Sequence, residues 1–343
     1  MSKKIAILTG GGDCPGLNPA IRGCVLQAEK LGYECIGFRE GWKGVIENIT
    51  IPLNKAIVKD LISQGGTYLC TSRTNPYKRE GGVEAVKKNF KANNLYALIA
   101  MGGEDTLGVA NKLYKDFKLP IVGVPKTMDN DLSATDYTFG FDTSVTSAME
   151  AMCKLRDTAK SHRRIIVLEV MGRHAGWVSL FTAIASGADY VCLPERQVDG
   201  KHMIDTLKKA YDKNGYALVV ASEAINLPTT DEGEKQALDD FGHVLLKGRD
   251  VGEKLKDFIS KKTSIETRHA VIGHMQRGGS PTLFDRILGT RVGVASVRFA
   301  DEGKFGVMAA LTGNKIVAVP LDEAVGKLKT VTKDWLDLAD VLI

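Results

Sequence analysis

A chain of 343 residues is too long for one small core and points to two domains. Its 44% hydrophobic and 25% charged residues are ordinary for a globular protein, and no run nears the roughly eighteen apolar residues of a membrane span. The net charge of +5 is spread along the chain, which argues against a nucleic-acid partner and suits small anionic substrates. Six cysteines, at 14, 24, 35, 70, 153 and 192, form no C-x-x-C pair and no metal-ligand spacing. They read mostly as buried thiols of a reducing compartment. The first residues already read as a strand, with no long apolar signal region, so a cytoplasmic location is expected.

In chain order, residues 5–9 are an apolar run closed by Gly10-Gly11-Gly12-Asp13-Cys14-Pro15-Gly16, and residues 19–31 have helical periodicity. Strand, glycine turn and helix together open a doubly wound unit. The pattern recurs: a strand at 96–101 feeds Gly102-Gly103 and a helix at 106–117, and a strand at 121–124 feeds the loop that starts at Pro125. Residues 143–159 read as a long helix, with Asp142 or Thr143 as its cap. A second set follows. Residues 165–170 form a buried strand ending in Met171-Gly172-Arg173-His174-Ala175-Gly176, and 190–193 and 217–222 are further strands. Residues 229–240 are acid-rich and read as an exposed loop or short helix. A strand at 270–275 runs into Gln276-Arg277-Gly278-Gly279-Ser280-Pro281, and a helix spans 285–299. The fold class is α/β, and the recurring turns hint at two similar halves.

A glycine turn at a helix start lets backbone amides approach a phosphate, and the helix dipole favours the anion. The turn at 10–16 fits that description, yet it is neither G-x-x-x-x-G-K-[ST] nor G-x-G-x-x-G. Alone it reads more readily as a tight structural turn. The residues around 125–131 carry more chemistry. Lys126, Thr127, Asp129, Asn130 and Asp131 follow one strand, and Glu104 and Asp105 follow a neighbouring one. On an extended loop, Asp129 and Asp131 would point to one side. Loops at the carboxyl ends of parallel strands converge. Carboxylates gathered there call for a metal ion or a cation, and phosphoryl transfer uses those same groups: a metal-binding acid, a carboxylate base and a cation for the moving charge.

The residues Gly11 to Asn18, Thr71-Ser72-Arg73-Thr74, Gly102-Gly103-Glu104-Asp105, Pro125 to Asp131, Gly140-Phe141-Asp142-Thr143, Glu169 to Arg173, Glu266-Thr267-Arg268 and His274 to Gly279 resemble phosphofructokinase blocks, in the family's order and nearly end to end. The resemblance implies two doubly wound, Rossmann-like α/β domains with the active site in the cleft. The donor domain would be residues 1–140 plus 276–325, and the sugar-phosphate domain 141–275 plus 326–343. It implies that Asp129 takes the proton from the 1-hydroxyl of fructose 6-phosphate, that Lys126 and Asp105 belong to the catalytic set, and that Glu104 holds Mg²⁺. Many members have Asp where this chain has Glu104. Thr127 and Asp129 would touch the sugar, with Gly11 and Met128 also at substrate. Met171, Gly172, Arg173 and Glu223 would line the sugar pocket. Arg164, Arg268, His274 and Arg277 would hold its phosphate. In the family, the matches to Arg164 and Arg268 come from the adjacent subunit, which implies a homodimer or homotetramer with shared active sites.

The donor follows from charge. ATP-using members commonly have glycine where this chain has Asp105 and Lys126. A carboxylate at 105 would face an α-phosphate, a like-charge contact costing several kcal/mol, order of magnitude, in a partly dry site. Pyrophosphate has no α-phosphate, so this sequence is similar to pyrophosphate-dependent members. An ATP-dependent enzyme and a non-catalytic sugar-phosphate-binding subunit are the alternatives. Arg22 and Arg156 match the basic effector pocket of allosteric relatives, whereas Leu26, Asp212 and Asn214 do not. Weak or absent nucleotide regulation is expected.

Overall fold

The computed structural model describes residues 3–227 and 249–343. The acid-rich stretch 229–240 lies outside the described residues. The chain opens with β1 (Lys4–Thr9), α1 (Leu17–Lys30), β2 (Glu34–Phe38), α2 (Trp42–Glu47), β3 (Thr50–Leu53), α3 (Gly82–Ala92), β4 (Leu95–Gly102), α4 (Glu104–Phe117) and β5 (Ile121–Pro125). Next come α5 (Phe141–His162), β6 (Ile165–Val170), α6 (Trp177–Ser186), β7 (Tyr190–Cys192), α7 (Gly200–Asn214), β8 (Ala217–Ser222), α8 (Val251–Thr263) and β9 (Thr267–Val271). It closes with α9 (Leu283–Asp301), β10 (Val307–Thr312), β11 (Lys315–Pro320), α10 (Leu321–Val325) and α11 (Lys333–Leu342). The chain divides into two compact units. The first is the chain up to Met128 with Leu132–Thr143 and Arg277–Leu328; the second is Asp129–Asp131, Ser144–Gln276 and Lys329–Ile343.

The first unit holds a seven-stranded sheet in the order β11-β10-β5-β4-β1-β2-β3. Its centre is parallel, and β3 and β11 are antiparallel edges. Five of the six residues of β1 are buried, as a central parallel strand covered on both faces requires. Ala6, Leu8, Leu98 and Ala100 pack under α2, α3, α4 and α10. The strand alternation sends Ile5, Ile7, Ile99 and Met101 to the opposite face, where α1 packs along α9. Thus β1 leads to a helix on one face and its neighbour β4 to a helix on the other. Such a reversal, here between β1 and β4, marks the usual ligand position in an open α/β sheet, beyond the carboxyl ends of the strands.

The second unit holds a parallel four-stranded sheet, β7-β8-β6-β9. Ile165, Val167, Val219 and Ala221 face a core with α7 and α8. Trp335 of α11 packs on Phe181 and Trp177 of α6, with ring centroids 4.7 and 6.3 Å apart.

Three local expectations are corrected. The helix expected at 143–159 is α5, beginning at Phe141, so Asp142 and Thr143 lie in its first turn instead of capping it. An orphan amide of that turn is met from elsewhere: Thr143 N donates to Asp285 Oδ2 of α9 at 2.8 Å. The strand expected at 270–275 is β9, earlier in the chain and on the sheet edge, with Arg268 and His269 exposed. A short 3-10 helix, Gly273–Arg277, replaces its second half. Finally, the Asp129-Asn130-Asp131 loop is a turn, not an extended segment. Asn130 has φ 52°, a left-handed conformation that asparagine tolerates, so the alternation argument for the two aspartates does not hold.

Candidate active site

In the first unit, three strand ends supply the site. Gly10 N donates to Met101 O at 2.9 Å, and Lys126 N donates to Gly102 O at 3.0 Å, locking the loops after β1, β4 and β5 side by side. The Thr71-Ser72 segment braces the glycine loop: Thr71 Oγ1 donates to Gly11 O at 2.6 Å, and Gly11 N donates to Ser72 O at 3.2 Å. Lys126 is 4% exposed, and its Nζ donates to Gly12 O at 2.6 Å. Its ammonium group is therefore built into the glycine loop. Glu104 and Asp105 form the first turn of α4, where the helix dipole stabilises carboxylates. Thr106 behind them is buried against Gly102, where an added Cβ would lie 2.2 Å from its own Cβ. Glycine is needed there because the strand end and the helix turn nearly touch.

Arg277 also reaches this loop. Its Nη1 lies 1.8 Å from where a Cβ on Gly12 would be. Its Nε is buried and, among the described residues, has no hydrogen-bond partner, a donor suited to an anion. Cys14 lies in the same loop, and its thiol is no nucleophile. Burial pushes it up to about 12 against a smaller opposing pull from Lys126, and it donates to Phe139 O at 3.5 Å. Met128 is buried, and the carbonyl of Thr127 accepts from Thr138 Oγ1 at 2.6 Å.

In the second unit, the loop after β6 is held by its backbone. Met171 N donates to Gln276 Oε1 at 2.8 Å, Gly172 N donates to Glu223 Oε1 at 3.2 Å, and Gly172 O accepts from Ser222 Oγ at 2.9 Å. Arg173 is half-buried on this loop, and His274 is exposed on the 3-10 helix. Arg164 and Arg268 meet on one carboxylate: Arg164 Nε is 2.9 Å from Glu266 Oε2, and Arg268 Nη2 is 2.8 Å from Glu266 Oε1. Bonding to Arg164 holds the Glu266 carboxyl below the usual range, although its burial opposes this. Asp129 is half-buried, and the next residue, Asn130, accepts from Lys329 Nζ at 3.0 Å.

Thus Gly11, Lys126 and Arg277 gather around Gly12 in the first unit, with Glu104 and Asp105 at the adjoining strand end. Met171, Gly172 and Glu223 gather in the second, as do Arg164 and Arg268. Sequence reasoning gave no role to Gly12, Thr71, Ser222 or Gln276, although Gly12, Thr71 and Gln276 lie in recognised blocks and Ser222 precedes Glu223. Nothing in a linear reading signals that a glutamine meets a backbone amide 105 positions away.

A doubly wound sheet with a glycine loop, acids and a buried lysine at its switch point has the parts of a phosphoryl-transfer enzyme. The family profile described as Phosphofructokinase matches residues 4–300, and the chain belongs to that family. It is 48% identical over 335 residues to a pyrophosphate--fructose 6-phosphate 1-phosphotransferase of Dictyoglomus thermophilum, covering 96% of each chain. It is also 43% identical to the ATP-dependent 6-phosphofructokinase 2 of Streptomyces coelicolor, covering 98% of this chain and 99% of that one. Among solved structures, the T-state phosphofructokinase of Pichia pastoris superposes with a TM-score of 0.83 at 32% identity. The match takes in 95% of this chain and spans 36% of that longer one.

Proposed function

We propose that this protein transfers a phosphoryl group reversibly from pyrophosphate to the 1-hydroxyl of fructose 6-phosphate, giving fructose 1,6-bisphosphate and phosphate. The observation that carries this reading is the pair Glu104 and Asp105 in the first turn of α4. A helix start at a switch point would normally attract a phosphate. Here it presents two carboxylates, so a third phosphate group in the donor meets like charge. Lys126, fixed on Gly12 O, supports the same reading by supplying a cation to the glycine loop. The identity to relatives named for pyrophosphate adds weight.

Mg²⁺ fits the residues present. No group of three His, Cys, Asp or Glu side chains suited to a metal ion occurs among the described residues. Magnesium needs none, because it keeps waters and takes one or two carboxylates plus substrate phosphate oxygens. Glu104 is exposed and would hold it. When bound, the ion would neutralise charge on the pyrophosphate oxygens.

Asp129 accepts the proton of the sugar 1-hydroxyl, and that oxygen forms the new bond to the nearer phosphorus. The bond from this phosphorus to the bridging oxygen breaks, and inorganic phosphate leaves with the electron pair. Lys126 offsets charge on the moving group. Thr127, Met128, Met171, Gly172, Arg173 and Glu223 line the sugar, and His274 and Arg277 grip its phosphate. Arg164 and Arg268 serve a neighbouring subunit's site in a homodimer or homotetramer. The enzyme works in the cytoplasm; among the described residues no helix is long and apolar enough to cross a membrane.

The second reading is ATP as donor, favoured by the Streptomyces coelicolor relative. A coupled assay with either donor at equal concentration separates the two. Turnover with pyrophosphate and little with ATP is expected. Equal or faster turnover with ATP sinks the donor assignment, and no transfer from either donor sinks the enzyme assignment.

A further inference from the structure

Gln276 carries no role in the chemistry above, yet it is fully buried, an unusual place for a primary amide. Both ends of the amide are used. Oε1 accepts from Met171 N at 2.8 Å, and Nε2 donates to Ser144 Oγ of α5 at 3.1 Å. The amide thus spans from α5 to the first residue of the loop that follows β6. Ser222 and Glu223 hold the next residue, Gly172, by its carbonyl and its amide. Gly176, at the far end of the loop, donates to Glu195 Oε1 at 2.8 Å. The loop backbone is therefore pinned by side chains rather than by strand pairing. Gln276 is the pin nearest β6, and its own orientation is fixed by Ser144.

We propose that Gln276 is a positioning residue: it sets the Met171 amide, and through it the Met171–Gly172–Arg173 backbone, in the conformation that receives the sugar phosphate. The assignment of that loop to sugar binding rests on the function proposed above. Removing the amide would leave the part-buried Met171 N–H without this acceptor, and the loop would relax to satisfy it. The effect is expected on sugar binding and not on the donor, because the side-chain hydrogen bonds of Gln276 among the described residues run to α5 and this loop.

The test uses the full chain and two variants. Gln276→Met nearly preserves volume and removes both bonds. Ser144→Ala removes only the acceptor that orients the amide. In Gln276→Met, deuterium uptake at the Met171 amide should rise at least about tenfold, and the fructose 6-phosphate Kd by calorimetry should rise by roughly tenfold as well. The KM for pyrophosphate should stay within about twofold, and Ser144→Ala should shift uptake and sugar affinity the same way by about threefold. Unchanged exchange at Met171, or equal loss of affinity for sugar and donor, overturns the proposal. If Gln276→Met fails to fold, Ser144→Ala decides alone, and unchanged exchange and sugar affinity in it overturn the proposal. If the unmodified protein binds no fructose 6-phosphate, the functional reading fails instead, and the exchange at Met171 still decides whether Gln276 sets the loop.

Discussion

Gly12→Ala should impair sugar-phosphate affinity while leaving the fold intact. Gly12 is not in the left-handed region, so alanine can adopt its backbone conformation. The obstacle is Arg277, whose Nη1 lies 1.8 Å and Cζ 3.0 Å from the new Cβ. Ordinary carbon contact needs about 3.5 Å, so the guanidinium must withdraw by roughly 2 Å. It is the far end of a flexible side chain, so the move costs the fold less than about 1 kcal/mol. Reduced freedom of the unfolded chain returns about 0.4–1 kcal/mol, and the melting temperature should barely move. An Arg–phosphate hydrogen bond contributes about 1.5–3 kcal/mol, so displacing the guanidinium should raise the KM for fructose 6-phosphate by roughly 10- to 150-fold. The carbonyl of Gly12 is untouched, so Lys126 keeps its partner and the KM for pyrophosphate should change little. The deciding assay is a cycle of Gly12→Ala, Arg277→Ala and the double variant, read as KM for sugar at saturating donor. If the effect runs through Arg277, the double variant equals Arg277→Ala. Additive losses, or a collapsed melting temperature in Gly12→Ala, refute the reasoning.

Three further outcomes are expected. Lys126→Met, which keeps the apolar stem and removes the charge, should lower kcat by about 10²- to 10³-fold with sugar affinity nearly intact; a loss below tenfold would show that the ammonium does not meet developing charge. Asp105→Gly should admit ATP by removing a carboxylate from the first turn of α4, and a variant with neither ATP turnover nor ATP affinity would refute the charge-clash account. Burial pushes the Asp285 carboxyl up to about 6. The folded state therefore holds that proton more tightly than the unfolded chain does. The penalty of burying the charged form is absent below about pH 4 and grows as pH rises through 6, to on the order of 3 kcal/mol. Thermal unfolding from pH 4 to 8 should show the unmodified protein losing stability relative to Asp285→Asn by that amount, and parallel curves for the two would contradict the assignment.

Residues that decide their own environment were legible in the sequence. The runs at 165–170 and 217–222 are β6 and β8 residue for residue, because a strand buried on both faces reads as a near-continuous apolar run, interrupted here at Glu169 and Ser222. What failed depended on a distant partner. The start of α5 is set by Asp285, over a hundred residues away, so the local capping signal at 142–143 misled. The strand expected at 270–275 includes the apolar Val271-Ile272, whereas β9 is the edge strand beside β6 among the described residues, where Arg268 and His269 fit equally well. The two halves are also less alike than the recurring turns hinted. The hairpin of β10 and β11 extends the first sheet to seven strands, and the second has four among the described residues. The same division holds for the site. Acids and lysine at strand ends are readable from sequence, because the strand-to-loop switch announces where they lie. The grip of Lys126 on Gly12, of Arg277 over Gly12, and of Gln276 on Met171 required the fold.

Those grips bear on how the proposed chemistry would avoid reorganisation. A lysine on a flexible stem is a poor electrostatic catalyst if it must first be ordered, since its rotamer entropy is about 2 kcal/mol. Here the stem is buried and the head already rests on a carbonyl dipole at 2.6 Å, so the ordering is complete before substrate arrives. The glycine loop thereby has a second use besides admitting a phosphate closely. With Gly12 lacking a side chain, its carbonyl can be approached by Lys126 while Arg277 passes over its Cα. One residue without a Cβ thus allows two cations to sit on the same peptide. Like charges so close repel unless an anion lies between or beside them. Under the function proposed above, the ammonium held on Gly12 O rewards a compact anion, and the carboxylates of α4 penalise its extension.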